Sequence, residues 1–186
     1  MVGLKLIGSI MVILSSSLIG YIYGKSYSER LSNLIHLENC IKILETEVIY
    51  GATPIPDALM NVYKKGNKKV SFIFKEIRDK LIMNKNSDIL DSFICVTDIL
   101  EKKLSFNFED IEVFLSLGRV LGSSDRMDQE KNFKMTFAQF QTQEREAREE
   151  KEKNEKMFKN LGLLLGLAIV IILLWGREKD ECRLNF

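Results

Sequence analysis

LSNLIHLENCIKILETEV (Leu31–Val48) decides the fold class. Leu34, Leu37, Ile41, Leu44 and Val48 recur at spacings of three and four, the repeat of one face of an α-helix and not the alternation of a strand. Glu38, Lys42, Glu45 and Glu47 fall on the other face, so residues 27 to 50 read as an amphipathic helix with one dry side and one wet side. Gly51 ends it. Thr53 and Pro54 open the next helix, Thr as N-cap and Pro at the first helical position, and so shape the corner between the two.

The same period continues outward. Ile55, Ala58, Leu59, Val62 and Tyr63 form a second face, stopped by Lys65-Gly66-Asn67. Val70, Ile73, Phe74, Ile77 and Leu81 form a third, broken at Asn84–Ser87. Ser87 is expected to cap a fourth helix on Ile89, Phe93, Val96 and Leu100. Asn107 with Asp110 opens a fifth, on Ile111, Phe114, Leu115 and Leu121, closed by Gly122. A sixth begins near Ser124 and carries Phe133, Phe137 and Phe140 on one side. It runs into QTQEREAREEKEKNEK (Gln141–Lys156), almost wholly polar and without an a/d seam, hence a solvated helix and not a coiled coil.

Two apolar runs flank this middle. LIGSIMVILSSSLIGYIY (Leu6–Tyr23) has eighteen residues without a charge, about the length that crosses a hydrocarbon core. A cleaved signal peptide is the competing reading, but the apolar run continues past Ser15–Ser17, which favours an anchor with Tyr21 and Tyr23 at the interface. LGLLLGLAIVIILLWG (Leu161–Gly176) is shorter and more apolar, extended by Phe158, Lys159, Trp175 and Arg177. Its Gly162 and Gly166 form a small-xxx-small pair of the kind that lets a second helix approach closely. Lys25, Arg30, Lys151, Lys153, Lys156 and Lys159 crowd the inner flanks, which favours a cytoplasmic middle. The expectation is therefore an all-α protein: a six-helix bundle (26–157) between an N-terminal transmembrane helix (1–25) and a C-terminal one (158–176), with a short polar tail (177–186).

Composition narrows function. The 186 residues carry 27 Lys plus Arg against 26 Asp plus Glu, a net +1 without the basic excess of a nucleic-acid binder. Cys40, Cys95 and Cys182 are far apart and contain no CxxC, so neither a disulfide framework nor a zinc site is expected. The single histidine, His36, has no second His one turn away to share a metal. No phosphate loop, GxSxG or HExxH occurs, and Glu45 and Glu47, two apart on a helix, point to different faces. The expectation is a non-enzyme without cofactor or metal.

Two segments go beyond composition: LETEVIYGATPIPDAL (Leu44–Leu59) and LGRVLGSSD (Leu117–Asp125). In their order, with the flanking runs and the length, the chain resembles the stage III sporulation protein AB family. That family is similar in its soluble part to the cytoplasmic helical domains of the type II secretion inner-membrane platform protein. The resemblance implies a component of the channel between mother cell and forespore, in the mother-cell membrane, multi-pass, with its soluble domain cytoplasmic. It further implies as partners a secretion-type ATPase of the same operon and other sporulation channel proteins, beside membrane lipid and a possible second copy of the chain. The tail Arg177–Phe186 is longer than the family pattern.

Glu45 and Glu47, acidic and outward, are the candidate partner contacts, with Asp125 a third that otherwise opens the sixth helix. Gly118 and Gly122 admit two readings: a notch where another backbone approaches, or a packing site and a left-handed cap. A membrane-anchored signalling or sensor protein with a helical cytoplasmic domain is the alternative. About five residues before the first run and ten after the second leave it little room for a ligand-sensing module.

Overall fold

The computed structural model describes the backbone of residues 2–83, 88–123 and 126–183. Side chains are described for the same residues except 2–7, 9, 122, 123, 126, 127, 159, 162, 163, 170 and 172–183. Among these residues every element is helical and no strand occurs: α1 (Val2–Glu45), a π-helical turn (Thr46–Tyr50), α2 (Ile55–Lys65), α3 (Lys68–Met83), α4 (Ile89–Ile94), α5 (Thr97–Leu104), α6 (Phe108–Ser123) and α7 (Arg126–Arg183). The all-α expectation holds. Two details differ from it. The first and sixth helices are continuous with the apolar runs, because no Gly-Pro pair or polar turn separates them.

The fourth helix is two. Val96, with φ −101° and ψ 0°, sits at the edge of the helical basin. The Thr97 hydroxyl donates to the Ile94 carbonyl at 2.9 Å, competing for an acceptor that a continuous helix uses one turn on. A β-branched pair, Val96-Thr97, is where such a break is cheapest. The expected cap Ser87 lies outside the described residues, as do Ser124 and the 84–87 turn. The helix is capped instead by Asp88, whose Oδ1 accepts from Ile89 N at 2.7 Å.

The chain divides into two compact units, Glu29–Arg148 and Met1–Ser28 with Glu149–Phe186. In the first, the apolar faces read above converge. Leu34, Leu37, Ile41 and Leu44 of α1 are fully buried, with Leu59 of α2, Ile73 and Phe74 of α3, Phe93 of α4 and Phe114 of α6. Each such side chain contributes roughly 1.5–3 kcal/mol relative to exposure. Phe114 is the hub: Phe93 lies against it at 4.9 Å between centroids, and Phe74 meets it edge-on at 6.1 Å. Phe133 and Phe140 of α7 are buried as well.

The second unit is built the other way round. Gly20, Gly24 and Gly166 are buried, while Ile10, Met11, Leu14, Leu18, Ile22, Leu164, Leu165 and Ile171 are exposed. A Cβ on Gly166 would lie 3.1 Å from Ile13 Cα and 3.3 Å from Ser16 Cβ, so α7 packs there on the α1 backbone. The close approach expected of the Gly162–Gly166 pair is thus made within the chain at Gly166. Phe158 stacks on Tyr23 and Tyr27, at 6.2 and 5.8 Å. Among the described residues no helix is long and apolar enough to cross a membrane. Both apolar runs include positions beyond the described side chains: Leu6, Ile7 and Ser9 in one, and Gly162, Leu163, Val170 and Ile172–Gly176 in the other.

Candidate functional site

The corner from α1 into α2 carries four of the residues singled out in the sequence, Glu45, Glu47, Thr53 and Pro54. Here the helix widens: Gly51 N donates to Thr46 O at 2.9 Å, a π-type bond, and Thr53 N donates to Glu47 O at 2.9 Å. Gly51 is required at this point, since a Cβ would lie 2.8 Å from the Glu47 carbonyl oxygen. Ala52 follows with φ 47°, a left-handed conformation that costs a residue with a side chain of order 1 kcal/mol. Pro54, and not Thr53, is the N-cap of α2; its carbonyl accepts from Asp57 N and Ala58 N at 3.0 and 2.9 Å. Thr53 is free for another task.

That task is to hold Glu47. The Thr53 hydroxyl donates to Glu47 Oε2 at 3.1 Å, Asn61 Nδ2 donates to the same oxygen at 2.8 Å, and Lys65 Nζ donates to Oε1. With its side chain only 12% exposed, Glu47 is turned inward onto α2, not outward as its helix position suggested. The Lys65 ammonium, then the Asn61 amide, hold the carboxyl below the usual carboxylate range. Glu45 faces elsewhere. Partial burial, then Glu130, push its carboxyl up, while Lys134 and Lys42 oppose this. Beside them Tyr50 stands 69% exposed on the π-helical turn.

A second cluster was not foreseen. Asp110, fully buried at the start of α6, receives Arg30 Nε at 2.8 Å and Arg30 Nη2 at 2.9 Å, a two-pronged pair between α1 and α6. Its Oδ2 also accepts from Asn107 N at 3.0 Å, and Asn107 Oδ1 accepts from Asp110 N at 2.8 Å. This reciprocal capping box is how Asn107 and Asp110 open the helix, as the sequence indicates. One turn along α1 from Arg30, Asn33 Nδ2 donates to Leu104 O at 3.0 Å, where α5 ends in left-handed Ser105, φ 59°. The signal lay in the repeat itself: Arg30 sits four before Leu34, on the buried stripe.

The remaining candidates are simpler. A Cβ on Gly118 would lie 2.8 Å from Phe93 Cγ, so the notch is filled by that ring and Gly118 is a packing site. Gly122 lies inside α6, which runs to Ser123, and so does not end the helix; its surroundings, and Asp125 altogether, lie outside the described residues. His36 Nε2 is 3.3 Å from Asn67 Nδ2. Among the described residues no three His, Cys, Asp or Glu side chains gather as metal ligands. Glu38, expected on the wet face, is only 7% exposed, since α7 lies on that side of α1, with Phe137 under Lys42 and Glu144 beside Glu38.

Comparison with known proteins gives one consistent answer. The family model for stage III sporulation protein AB matches residues 5–174. Stage III sporulation protein AB of Bacillus subtilis (strain 168) is 32% identical over 176 residues, 92% of this chain and 99% of that protein. A solved structure of a stage III sporulation protein AB superposes with a TM-score of 0.60 at 26% identity, over 66% of this chain and 96% of that one.

Proposed function

The chain belongs to the stage III sporulation protein AB family, and on that premise we propose that it is a non-catalytic membrane platform of the mother cell–forespore channel, coupling a cytoplasmic secretion-type ATPase to the membrane assembly. The observation that carries this reading is the outward apolar surface of the flanking helices: Leu14 64%, Ile22 58%, Leu164 61% and Ile171 58% exposed. Such an outward apolar surface suits lipid. With the uncharged run Leu6–Tyr23 and its counterpart Leu161–Gly176, it supports two spans in the mother-cell membrane. The Lys and Arg residues on the bundle side of both runs support a cytoplasmic bundle.

The partner surface we assign to the α1–α2 corner: Glu45, the rim of Glu47 and exposed Tyr50, on a strained, ordered turn. Strain held at a surface corner is typical of a functional site.

Reporter fusions at either terminus of the full chain are expected outside the cytoplasm, and one inserted at residues 84–87 inside. Ends on opposite sides, or all three reporters inside, sink the two-span reading; both ends inside with the middle outside overturns the cytoplasmic bundle. Detergent-solubilised full chain is expected to capture the ATPase, and Glu45→Lys with Glu47→Lys to lose it. Capture undiminished by that double reversal removes the corner from the interface.

A further inference from the structure

The seam between α1 and α7 in the bundle holds an acidic pair that the corner does not use. Glu38 on α1 is 7% exposed, and Glu144 on α7, half-buried, turns its carboxyl toward that of Glu38. Glu144 Oε1 is buried and accepts no hydrogen bond from the protein. A buried acceptor without a partner is costly, and two carboxylates facing each other in a largely dry seam add repulsion. A proton on one of them answers both: it lets one carboxyl donate to the other and removes one charge.

We propose that Glu38 and Glu144 share one proton across the α1–α7 seam, so that the seam is tight with the proton bound and loosens when the proton passes to solvent. The charged groups facing the pair are Lys42, whose Nζ lies 3.1 Å from Glu38 Oε1, and Arg148, one turn along α7. Lys42 also sits over the Phe137 ring of α7 at 6.0 Å, so it reaches across the seam. Neither cation cancels the pair. Burial, then the Glu38 carboxyl, push the Glu144 carboxyl up to about 7, against the smaller pull of Lys42 and Arg148.

The sign follows. Unfolded, Glu144 has the ordinary value of 4.5; folded, it holds its proton to about 7. Its contribution to stability is therefore full below 4.5 and lost as pH rises through about 7. This inference is independent of the channel reading.

The test is denaturant unfolding of the full chain in detergent micelles from pH 5 to 8.5, for wild type, Glu144→Gln and Glu38→Gln. In the window where only the folded state holds the proton, the wild-type unfolding constant is expected to rise nearly tenfold per pH unit relative to Glu144→Gln, then level off. Glu38→Gln, which removes the second acid, is expected to flatten the dependence as well. Parallel profiles for all three proteins overturn the proposal. Should Glu144→Gln fail to fold, carboxyl carbon NMR titration of wild type decides: a Glu144 midpoint near neutrality supports the shared proton, and one near 4.5 overturns it.

Discussion

Asp110 and Glu47 are both acids at helix corners, each gathering three or more donor contacts, yet they do different work. Asp110 is fully buried, and its chief donor, Arg30, is 80 residues away on another helix. Glu47 keeps an exposed edge, and its donors Thr53, Asn61 and Lys65 lie within 18 residues. The first ties distant elements into one bundle; the second shapes a single turn. Sequence separation of the donors, more than their number, tells a structural pin from a presented surface.

The sharpest way to break this comparison is Asp110→Ala. It takes the paired carboxylate away from a buried Arg30 guanidinium, and the bundle is expected to lose about 3–5 kcal/mol in denaturant unfolding. Replacing both partners with Met at 30 and Leu at 110 is expected to recover most of that loss, because no unpaired charge remains. If Asp110→Ala melts like wild type, the pair is not a pin.

Gly118→Leu ranks next and calibrates the scale. Its side chain collides with Phe93, an overpacking expected to cost about 1–3 kcal/mol and to lower stability and heat-resistant spore counts together.

Glu47→Gln is smaller. Because the folded carboxyl is held low, its stabilisation is present above the ordinary 4.5 and lost as pH falls through the depressed folded value. The variant is therefore expected to flatten the acid limb of a melting-temperature profile while changing the neutral value less than Asp110→Ala does. Thr53→Val, removing one of three donors, is expected to give the smallest shift of all. A Thr53→Val loss equal to that of Asp110→Ala would erase the distinction between the two corners.

Much of the fold was legible because helices are local. The three-and-four spacing found the faces of α1, α2, α3, α6 and α7, and Asn107 with Asp110 announced the start of α6 correctly. The split at Val96-Thr97 was hidden because Phe93, Val96 and Leu100 keep a helical spacing across a break in the backbone. Pro54 takes the cap in place of Thr53 because a hydroxyl can cap its own helix or serve a carboxylate, and Glu47, six residues back, engages it. Glu38 and Glu47 read as outward because a helical wheel knows one covering partner, whereas α1 is covered from more than one side. The Arg30–Asp110 pair needed tertiary contact information that periodicity does not contain.

Gly166 seated on Ile13 carries a consequence for biosynthesis. The two are about 150 residues of chain apart, and at typical synthesis rates of roughly 5–20 residues per second the first helix waits roughly 8–30 seconds for its companion. Its waiting face is Ser16, Gly20 and Gly24, small side chains with little to grip a stranger. The nascent chain thus keeps its future contact vacant by chemistry until Gly166 has been made.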